Sequence, residues 1–343
     1  MISLEELQLA ARNHGMPLEA LRHEITPVGL HYLLTHYDIP AVDAGAWRLT
    51  VDGLVDRPLE LTLDELRGRE TVTMPVTMEC AGNGRAYLEP HVVSQPWITE
   101  AIGTMEWTGV PVAALLAEAG TTGGEIVFTG LDRGVEGGVV QNYARSLSLA
   151  DCDGALLAHG CNGEPLPPQH GFPLRLIVPG WYGMTSVKWL TRITVQDEPF
   201  EGYQMVTGYR IKRDEDDPGT PVTRIEPRSL ITPPGIPDFM TRRRFLPPGP
   251  VRLEGRAWSG WAPIERVEVS VDAGATWRDA ELGDPPGPAA WAPWALEWDA
   301  PAGEHVLCAR AHDAGGRSQP DEPPWNVGGY ANNSIQRIPV TVR

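Results

Sequence analysis

Positive charge is scarce in this sequence. Its 343 residues carry 28 Lys and Arg against 45 Asp and Glu, a formal charge of −17. An excess of that size repels polyanions, which argues against nucleic acid and anionic membrane surfaces as partners. Any anionic ligand must be caught by a local cluster of cations working against the global field. Long apolar runs are missing too, and no stretch approaches the length of a membrane span. The N-terminus, Met1-Ile2-Ser3-Leu4-Glu5-Glu6, shows neither the basic and apolar segments of a leader nor a twin arginine. The expectation for the chain as written is cytoplasmic, or periplasmic if a leader once preceded it. Cysteine is limited to Cys80, Cys152, Cys161 and Cys308, with no Cys-x-x-Cys, zinc-type spacing or haem-attachment motif. In a cytosolic setting Cys152 and Cys161 read as free thiols, and Cys308 reads as strand core.

Turn chemistry, by contrast, is abundant. Pro 33 and Gly 37 point to a β-rich architecture with few long helices. The length suffices for two domains with cores of their own. Leu4, Leu7 and Leu9, then Leu18 and Leu21, give a helical pattern broken at Pro17. The segment His31–Pro40 is apolar and aromatic with two histidines, and reads as a loop and strand lining something. Trp47–Val55 reads as a strand pair turning at Asp52-Gly53, and Leu61–Leu66 as a helix start capped by Thr62. A helix over Ala113–Glu118 should stop at Gly120. Glu125–Thr129 reads as a strand ending in Gly130-Leu131-Asp132, with further strands at Ala155–His159 and Leu174–Val178. Strands interleaved with short helices make residues 1–214 an α+β domain. The acidic, turn-prone run Asp214–Gly219 reads as a linker. Residues 215–343 show short strands with almost no helix, at 251–258, 264–271, 294–298, 305–311 and 335–342. Their spacing predicts an all-β sandwich of immunoglobulin type.

The stretch around which the chain is organised is Met78-Glu79-Cys80-Ala81-Gly82-Asn83-Gly84-Arg85. The extended run Thr73–Thr77 ends at the cysteine, and small residues then leave space beside the sulfur. Arg85 adds a permanent cation. A cysteine at a strand end, in a glycine-rich loop near a cation, can hold a thiolate, which attacks an electrophile or binds a soft metal. A buried structural cysteine is the competing reading. A second cluster, His170–Arg175 and Ser186–Lys188, flanks the loop Pro179-Gly180-Trp181-Tyr182-Gly183 and suits a phosphate or another anion. Scattered surface charge is the alternative there.

Cys80-Ala81-Gly82-Asn83 resembles the signature of the sulfite oxidase family of mononuclear molybdenum (molybdopterin) oxidoreductases, of the bacterial haem-free type. So do His170-Gly171-Phe172-Pro173-Leu174-Arg175, Val178-Pro179-Gly180 and Ser186-Val187-Lys188-Trp189-Leu190, with Gly130-Leu131-Asp132 between them. Arg228–Thr232, Ala257–Gly260 and Val269–Trp277 are similar to that family's dimerisation domain. The resemblance runs from about residue 25 to the end, and several motifs in order make it specific. It implies a molybdopterin-binding domain followed by an immunoglobulin-like domain that mediates a homodimer. It also implies molybdenum on Cys80, with molybdopterin held by His36, Asp132, His170, Arg175, Ser186, Val187 and Lys188. Arg85, Trp97 and Tyr209 match positions of the substrate pocket. The residues themselves also permit Trp97 as plain core, Asp132 as a turn former, Tyr209 as a strand aromatic and His31 as packing.

The sequence departs from the family pattern at three basic positions. Leu34 and Thr35 stand where an arginine usually precedes the histidine, Gly84 replaces the first arginine after the cysteine loop, and Gly328 replaces another near the C-terminus. Each absent charge-assisted hydrogen bond should weaken binding of a small dianion by roughly 1.5–3 kcal/mol. The expectation is oxidation of sulfite to sulfate by oxygen-atom transfer, with electrons leaving to an external acceptor such as a cytochrome. Two alternatives stay open: another small oxo-acceptor or oxo-donor, such as a sulfoxide or a less charged sulfur compound, and a cofactor-free binding protein of the same fold. Trp258, Trp261, Trp291 and Trp294 are candidates for an apolar dimer surface or for sandwich core.

Overall fold

The computed structural model describes residues 2–121, 124–323 and 325–343. Two sheets build the first domain. One is mixed, with strands ordered Leu59–Leu61, Leu49–Gly53, Leu190–Gln196, Glu125–Glu136 and Val139–Ser148. The Leu49–Gly53 strand runs parallel to Leu190–Gln196, with Thr50 opposite Arg192. The other sheet joins Val72–Glu79, Ile102–Pro111, Leu156–Cys161 and Glu164–Pro165, and Arg175–Ile177 also pairs with Leu156–Cys161. The Val72–Glu79 strand starts exposed and ends fully buried, so the chain delivers Cys80 into the interior. There the Cys80 amide donates to the Ala101 carbonyl at 2.9 Å.

Helices are short, as the Gly and Pro content implies. Thr62 caps Leu63–Arg67 in a reciprocal box with Glu65. Val112–Ala119 ends on Gly120, whose φ of 75° is the left-handed conformation that glycine supplies without strain. In Leu4–Arg12 the side chain that is buried is not the leucine stripe. Leu4 and Leu7 are exposed, while Glu6 is sequestered and meets His91 Nε2 at 2.9 Å.

Three expectations change. Asp52-Gly53 ends one strand rather than turning a hairpin, because Leu49–Gly53 is held between Leu59–Leu61 and Leu190–Gln196. The strand from Glu125 does not end at Gly130 but continues through an irregularity between Thr129 and Arg133 to Glu136. A Gly137-Gly138 turn then returns the chain as Val139–Ser148, an element for which no strand was expected. Both glycines have positive φ, at 57° and 79°, as a tight hairpin turn requires.

The second domain is a two-sheet β-sandwich. One sheet orders Arg228–Ile231, Gly249–Trp258, Ala292–Ala300 and Glu281–Leu282. The other orders Ile236–Pro237, Arg244–Leu246, Arg337–Val342, Gly303–Asp313, Ile264–Ser270 and Arg278–Asp279. Inward residues such as Leu253, Val267, Val269, Trp294, Leu307 and Val340 fill the space between them, while Cys308, also buried, alternates with Leu307 onto the other face of its sheet. The acidic run expected to be a linker is the ordered turn of a small hairpin pairing Arg210-Ile211 with Thr220-Pro221. In that turn Asp217 accepts from Arg213 Nε at 2.9 Å and from the Gly219 amide at 2.9 Å.

Candidate active site

The cavity beside Cys80 is lined by His31, Leu34, His36, Asp132, His170, Arg175, Ser186 and Lys188, and by Tyr32, Met78, Tyr143 and Met184. Its atom-free space is about 590 Å³ counted to its open mouth, within the range of small-molecule sites. Four stretches of sequence meet there: the loop before Pro40, the irregularity at Gly130-Leu131-Asp132, the His170–Arg175 turn and the Ser186–Lys188 run. Gly130 is required by this crowding. A Cβ on it would stand 2.5 Å from the Lys188 carbonyl and 2.7 Å from the Asp132 carboxylate.

One end of the cavity is cationic. Arg175 is buried, donating Nη1 to the His170 carbonyl at 3.1 Å and Nη2 to the Ser186 carbonyl at 3.2 Å, while Nε has no partner. Lys188 donates Nζ to the carbonyls of Leu34 at 2.8 Å and Gln169 at 3.1 Å. Burial first, and the Arg175 charge second, push the lysine down to about 7, with Asp132 opposing them. Burial raises the Asp132 carboxyl to about 7 against the pull of Lys188, and Asp132 Oδ1 is buried without a partner. His31 Nδ1 donates to the Tyr32 carbonyl at 2.9 Å, leaving Nε2 buried and unpaired beside the His170 ring. Burial lowers the pKa of His31, His36 and His170, so all three rings are neutral near pH 7.

At the other end is Cys80. Burial raises its thiol pKa, and the Arg85 cation is the largest influence in the opposite direction. The loop that carries it is clamped from the second domain. Glu79 Oε1 accepts from Arg228 Nη1 at 2.7 Å and from Asn83 Nδ2 at 2.9 Å, and Glu79 Oε2 accepts from Trp258 Nε1 at 2.8 Å. The Ala331 amide donates to the Ala81 carbonyl at 2.8 Å, and Asn332 Nδ2 to the Gly84 carbonyl at 2.7 Å. Gly84 has φ 91°, and a Cβ there would meet the Asn332 carbonyl at 2.9 Å, so the docked segment excludes an arginine at 84 in this backbone.

Arg85, Trp97, Tyr209 and Val187 do not line this cavity. Arg85 is buried behind the cysteine loop, with Nε on the Gly328 carbonyl at 3.0 Å and Nη1 on the Gln95 carbonyl at 3.2 Å. Trp97 is buried in the same cluster as Cys80. Its indole N–H has no acceptor within hydrogen-bond reach, yet lies near enough to the thiol to favour the thiolate. Tyr209, with φ 54°, places its hydroxyl on His36 Nε2. The Val187 side chain is in the hydrophobic core, and its carbonyl accepts from the Leu176 amide at 2.8 Å.

His31, which from sequence could be mere packing, lines the cavity with an unpaired nitrogen. Tyr143, which stacks on His36 with ring centroids 4.7 Å apart, and Arg145 and Tyr330, which flank Tyr209, were not singled out from sequence. Glu79 and Arg228 stood inside recognised motifs, but nothing in their spacing joins positions so far apart in the chain.

The residues fit a pterin-bound metal. Among the described residues no three His, Cys, Asp or Glu side chains converge as a metal-binding set. A metal on Cys80 therefore takes its remaining donors from a bound group. The unpaired atoms of Asp132, Arg175 and His31 are polar partners waiting for that group, and Arg175 and Lys188 suit its phosphate.

Fold and site together define a molybdopterin-dependent oxidoreductase. The family model for the oxidoreductase molybdopterin binding domain matches residues 36–204, and that for the Mo-co oxidoreductase dimerisation domain matches residues 221–343. The sulfite oxidase of Gallus gallus is 36% identical over 348 residues, covering 95% of this chain and 75% of that protein. The nitrate reductase [NAD(P)H] of Hordeum vulgare is 33% identical over 351 residues, 93% of this chain and 39% of that protein. The chain thus spans well under half the length of that reductase. Among solved structures, the sulfane dehydrogenase SoxCD from Paracoccus pantotrophus superposes with a TM-score of 0.82 at 30% identity, covering 96% of this chain and 86% of that one. The chain belongs to the sulfite oxidase family, and its cofactor is molybdenum bound to molybdopterin.

Proposed function

We propose that the protein oxidises sulfite to sulfate by oxygen-atom transfer and passes the electrons to an external acceptor. The observation that carries this reading is one cavity with a buried thiol at one end and the Asp132, His170, Arg175 and Lys188 cluster at the other. When bound, the molybdenum and its pterin supply the transferable oxygen and the two-electron sink. Cys80 would hold the metal through its thiolate. His170, Arg175, Ser186 and Lys188 would hold the pterin and its phosphate, with Asp132 and His36 along its flank. Arg85, behind the cysteine loop, would act on an oxyanion in the cavity through its field. Tyr209 Oη and His36 Nε2 share a proton that the pair can hold or release beside the reacting atoms.

A second reading has its own support. Leu34 lines the cavity and Gly328 has no side chain, so two positions that could carry cations are apolar or empty. A sulfur compound with less charge than sulfite, of the sulfane kind that names the Paracoccus enzyme, would lose less there.

The test is molybdenum per chain on purified protein, followed by sulfite-dependent ferricyanide reduction on the same sample. Near-stoichiometric metal with turnover is the expected result. Metal without sulfite turnover would hand the site to the second reading. No metal, from a host that makes the cofactor, would sink both. Arg85→Ala should lower sulfite kcat/KM by about 3- to 10-fold, the loss of a fixed charge behind the loop rather than of a hydrogen bond to the substrate. An unchanged value would mean that the Arg85 charge does not act on the substrate.

A further inference from the structure

Beside Tyr209 lies a cation that no described residue neutralises. Arg145 comes from the Val139–Ser148 strand and is 3% exposed. Its Nη1 donates to the Gln204 carbonyl, and its Nε is buried with no partner. Among the described residues no carboxylate pairs with it, and the groups that act on it are the hydroxyls of Tyr143, Tyr209 and Tyr330. A buried guanidinium left without a counter-charge is costly, and a fold retains one where an anion arrives to complete it.

Arg145 is not itself among the residues lining the cavity, but it stands two positions along its strand from Tyr143, which is, and so on the same face of that strand. The Arg145 guanidinium lies 5.5 Å from the Tyr209 ring centroid. Tyr209 packs on Tyr330 with centroids 5.2 Å apart, and the Arg85 guanidinium lies 5.2 Å from the Tyr330 ring centroid. Two guanidinium groups therefore bracket a pair of tyrosines, and both tyrosines lie within the electrostatic reach of Cys80. Arg145 also acts on His36, two residues beyond Leu34. A Cβ at Gly328 would stand 2.2 Å from the Tyr330 ring, so the ring fills the space a side chain at 328 would need.

We propose that Arg145 is a substrate-binding residue of the Cys80 site, gripping a tetrahedral oxyanion from the Val139–Ser148 strand where Leu34 presents no charge. Arg85 uses two of its nitrogens on backbone carbonyls and supplies mainly field, whereas Arg145 has donors free to form hydrogen bonds. The Tyr209–Tyr330 pair holds the two cations apart and screens their repulsion through ring faces that each attracts. This inference rests on the reading of the Cys80 cavity as the reaction site, but not on sulfite being the substrate.

The test uses the metal-loaded protein and inorganic sulfate as probe. Sulfate affinity is measured by calorimetric titration on wild type, Arg145→Met and Arg145→Lys, with molybdenum content measured on each. The expected result is full metal content in all three and sulfate binding weakened by about 10- to 100-fold in Arg145→Met, the loss of one or two charge-assisted hydrogen bonds. Arg145→Lys should recover part of it, since it restores the charge without the fork. For a substrate oxyanion, KM should rise more than kcat falls. Equal sulfate affinity in wild type and Arg145→Met at equal metal content overturns the proposal, as does failure of wild type to bind sulfate. Loss of metal from Arg145→Met with retention in Arg145→Lys would move Arg145 to the cofactor, which also overturns it. Sulfate binding that depends on Arg145 in a protein inert towards sulfite would sink the sulfite reading and leave this one standing.

Discussion

Lys188, which we propose holds the cofactor's phosphate, is kept buried at a cost to its own charge. It and Lys212 are the lysines of this arginine-rich chain. An arginine at 188 would stay charged at any working pH, whereas burial and the Arg175 charge bring this lysine to about 7. An arriving phosphate reverses that shift by pairing with the ammonium, so cofactor binding and protonation are coupled. In the cofactor-free protein the sign follows from linkage. Between about pH 7 and the ordinary lysine range the unfolded chain holds a proton that the folded one has released, so this group makes stability rise with pH. Thermal unfolding of cofactor-free wild type and Lys188→Met at pH 7 and pH 9.5 should show wild type gaining on the variant by about 1–3 kcal/mol. A parallel pH response in the two proteins would mean that Lys188 is charged throughout. The variant should also fail to retain pterin. At this scale Cys80, His170, Arg175 and Lys188 were legible because each stands in a short local motif. Arg145 was not, since a lone arginine among polar residues carries no mark of burial.

At the scale of elements, the Val139–Ser148 strand hid its own identity. Gln141, Asn142, Arg145 and Ser146 interrupt the alternation by which a half-buried strand is recognised, although Gly137-Gly138 offered the hairpin turn that could have disclosed it. Tyr143 and Leu147 enter the core, while Asn142 is spent on the Gly130 carbonyl and Ser146 on the Glu125 carboxylate, so polar positions with partners of their own break the alternation. The same holds for the Cys80 strand, which ends on Glu79, a carboxylate buried in an otherwise apolar element. Its partners Arg228 and Trp258 come from strands whose resemblance pointed to the dimerisation domain, and no spacing rule connects residues 149 positions apart in sequence. Breaking that pair leaves Glu79 buried without its counter-charge. Arg228→Met should cost on the order of 3–5 kcal/mol in denaturant unfolding and lower the metal content. The double variant Arg228→Met with Glu79→Gln should recover part of the stability. If the double variant were no more stable than the single, the buried charge would not be the cause.

At the scale of the molecule, the expected division into an α+β part and an immunoglobulin-like part was legible from helix content and strand spacing. The way the parts close on one another was not. Trp258 and Trp291 are buried in a cluster with Met16, Ile102 and Tyr209, Trp294 lies inside the sandwich, and only Trp261 of the four tryptophans is exposed. These aromatics weld the sandwich to the cysteine loop, and three of the four are therefore not free to form a dimer surface. The remaining property of the whole is its charge. With −17 spread over the molecule and the binding cations sequestered, the outside is strongly anionic while the reaction site is locally cationic. That contrast sets opposite salt responses for two kinds of electron acceptor. A basic cytochrome should be steered in by the exterior field, so its second-order rate of reduction by the substrate-reduced protein should fall steeply as ionic strength rises from 0.01 to 0.3 M, where the Debye length contracts from about 30 Å to under 8 Å. Ferricyanide, an anion repelled by the same field, should react faster over that range. Stopped-flow measurement of both on one preparation checks the pair. A cytochrome rate flat in salt beside a rising ferricyanide rate would mean that the acceptor docks on a neutral patch rather than on the acidic exterior. Rates that fall together would mean that salt acts on the cationic site itself, competing with substrate for Arg85 and Arg145.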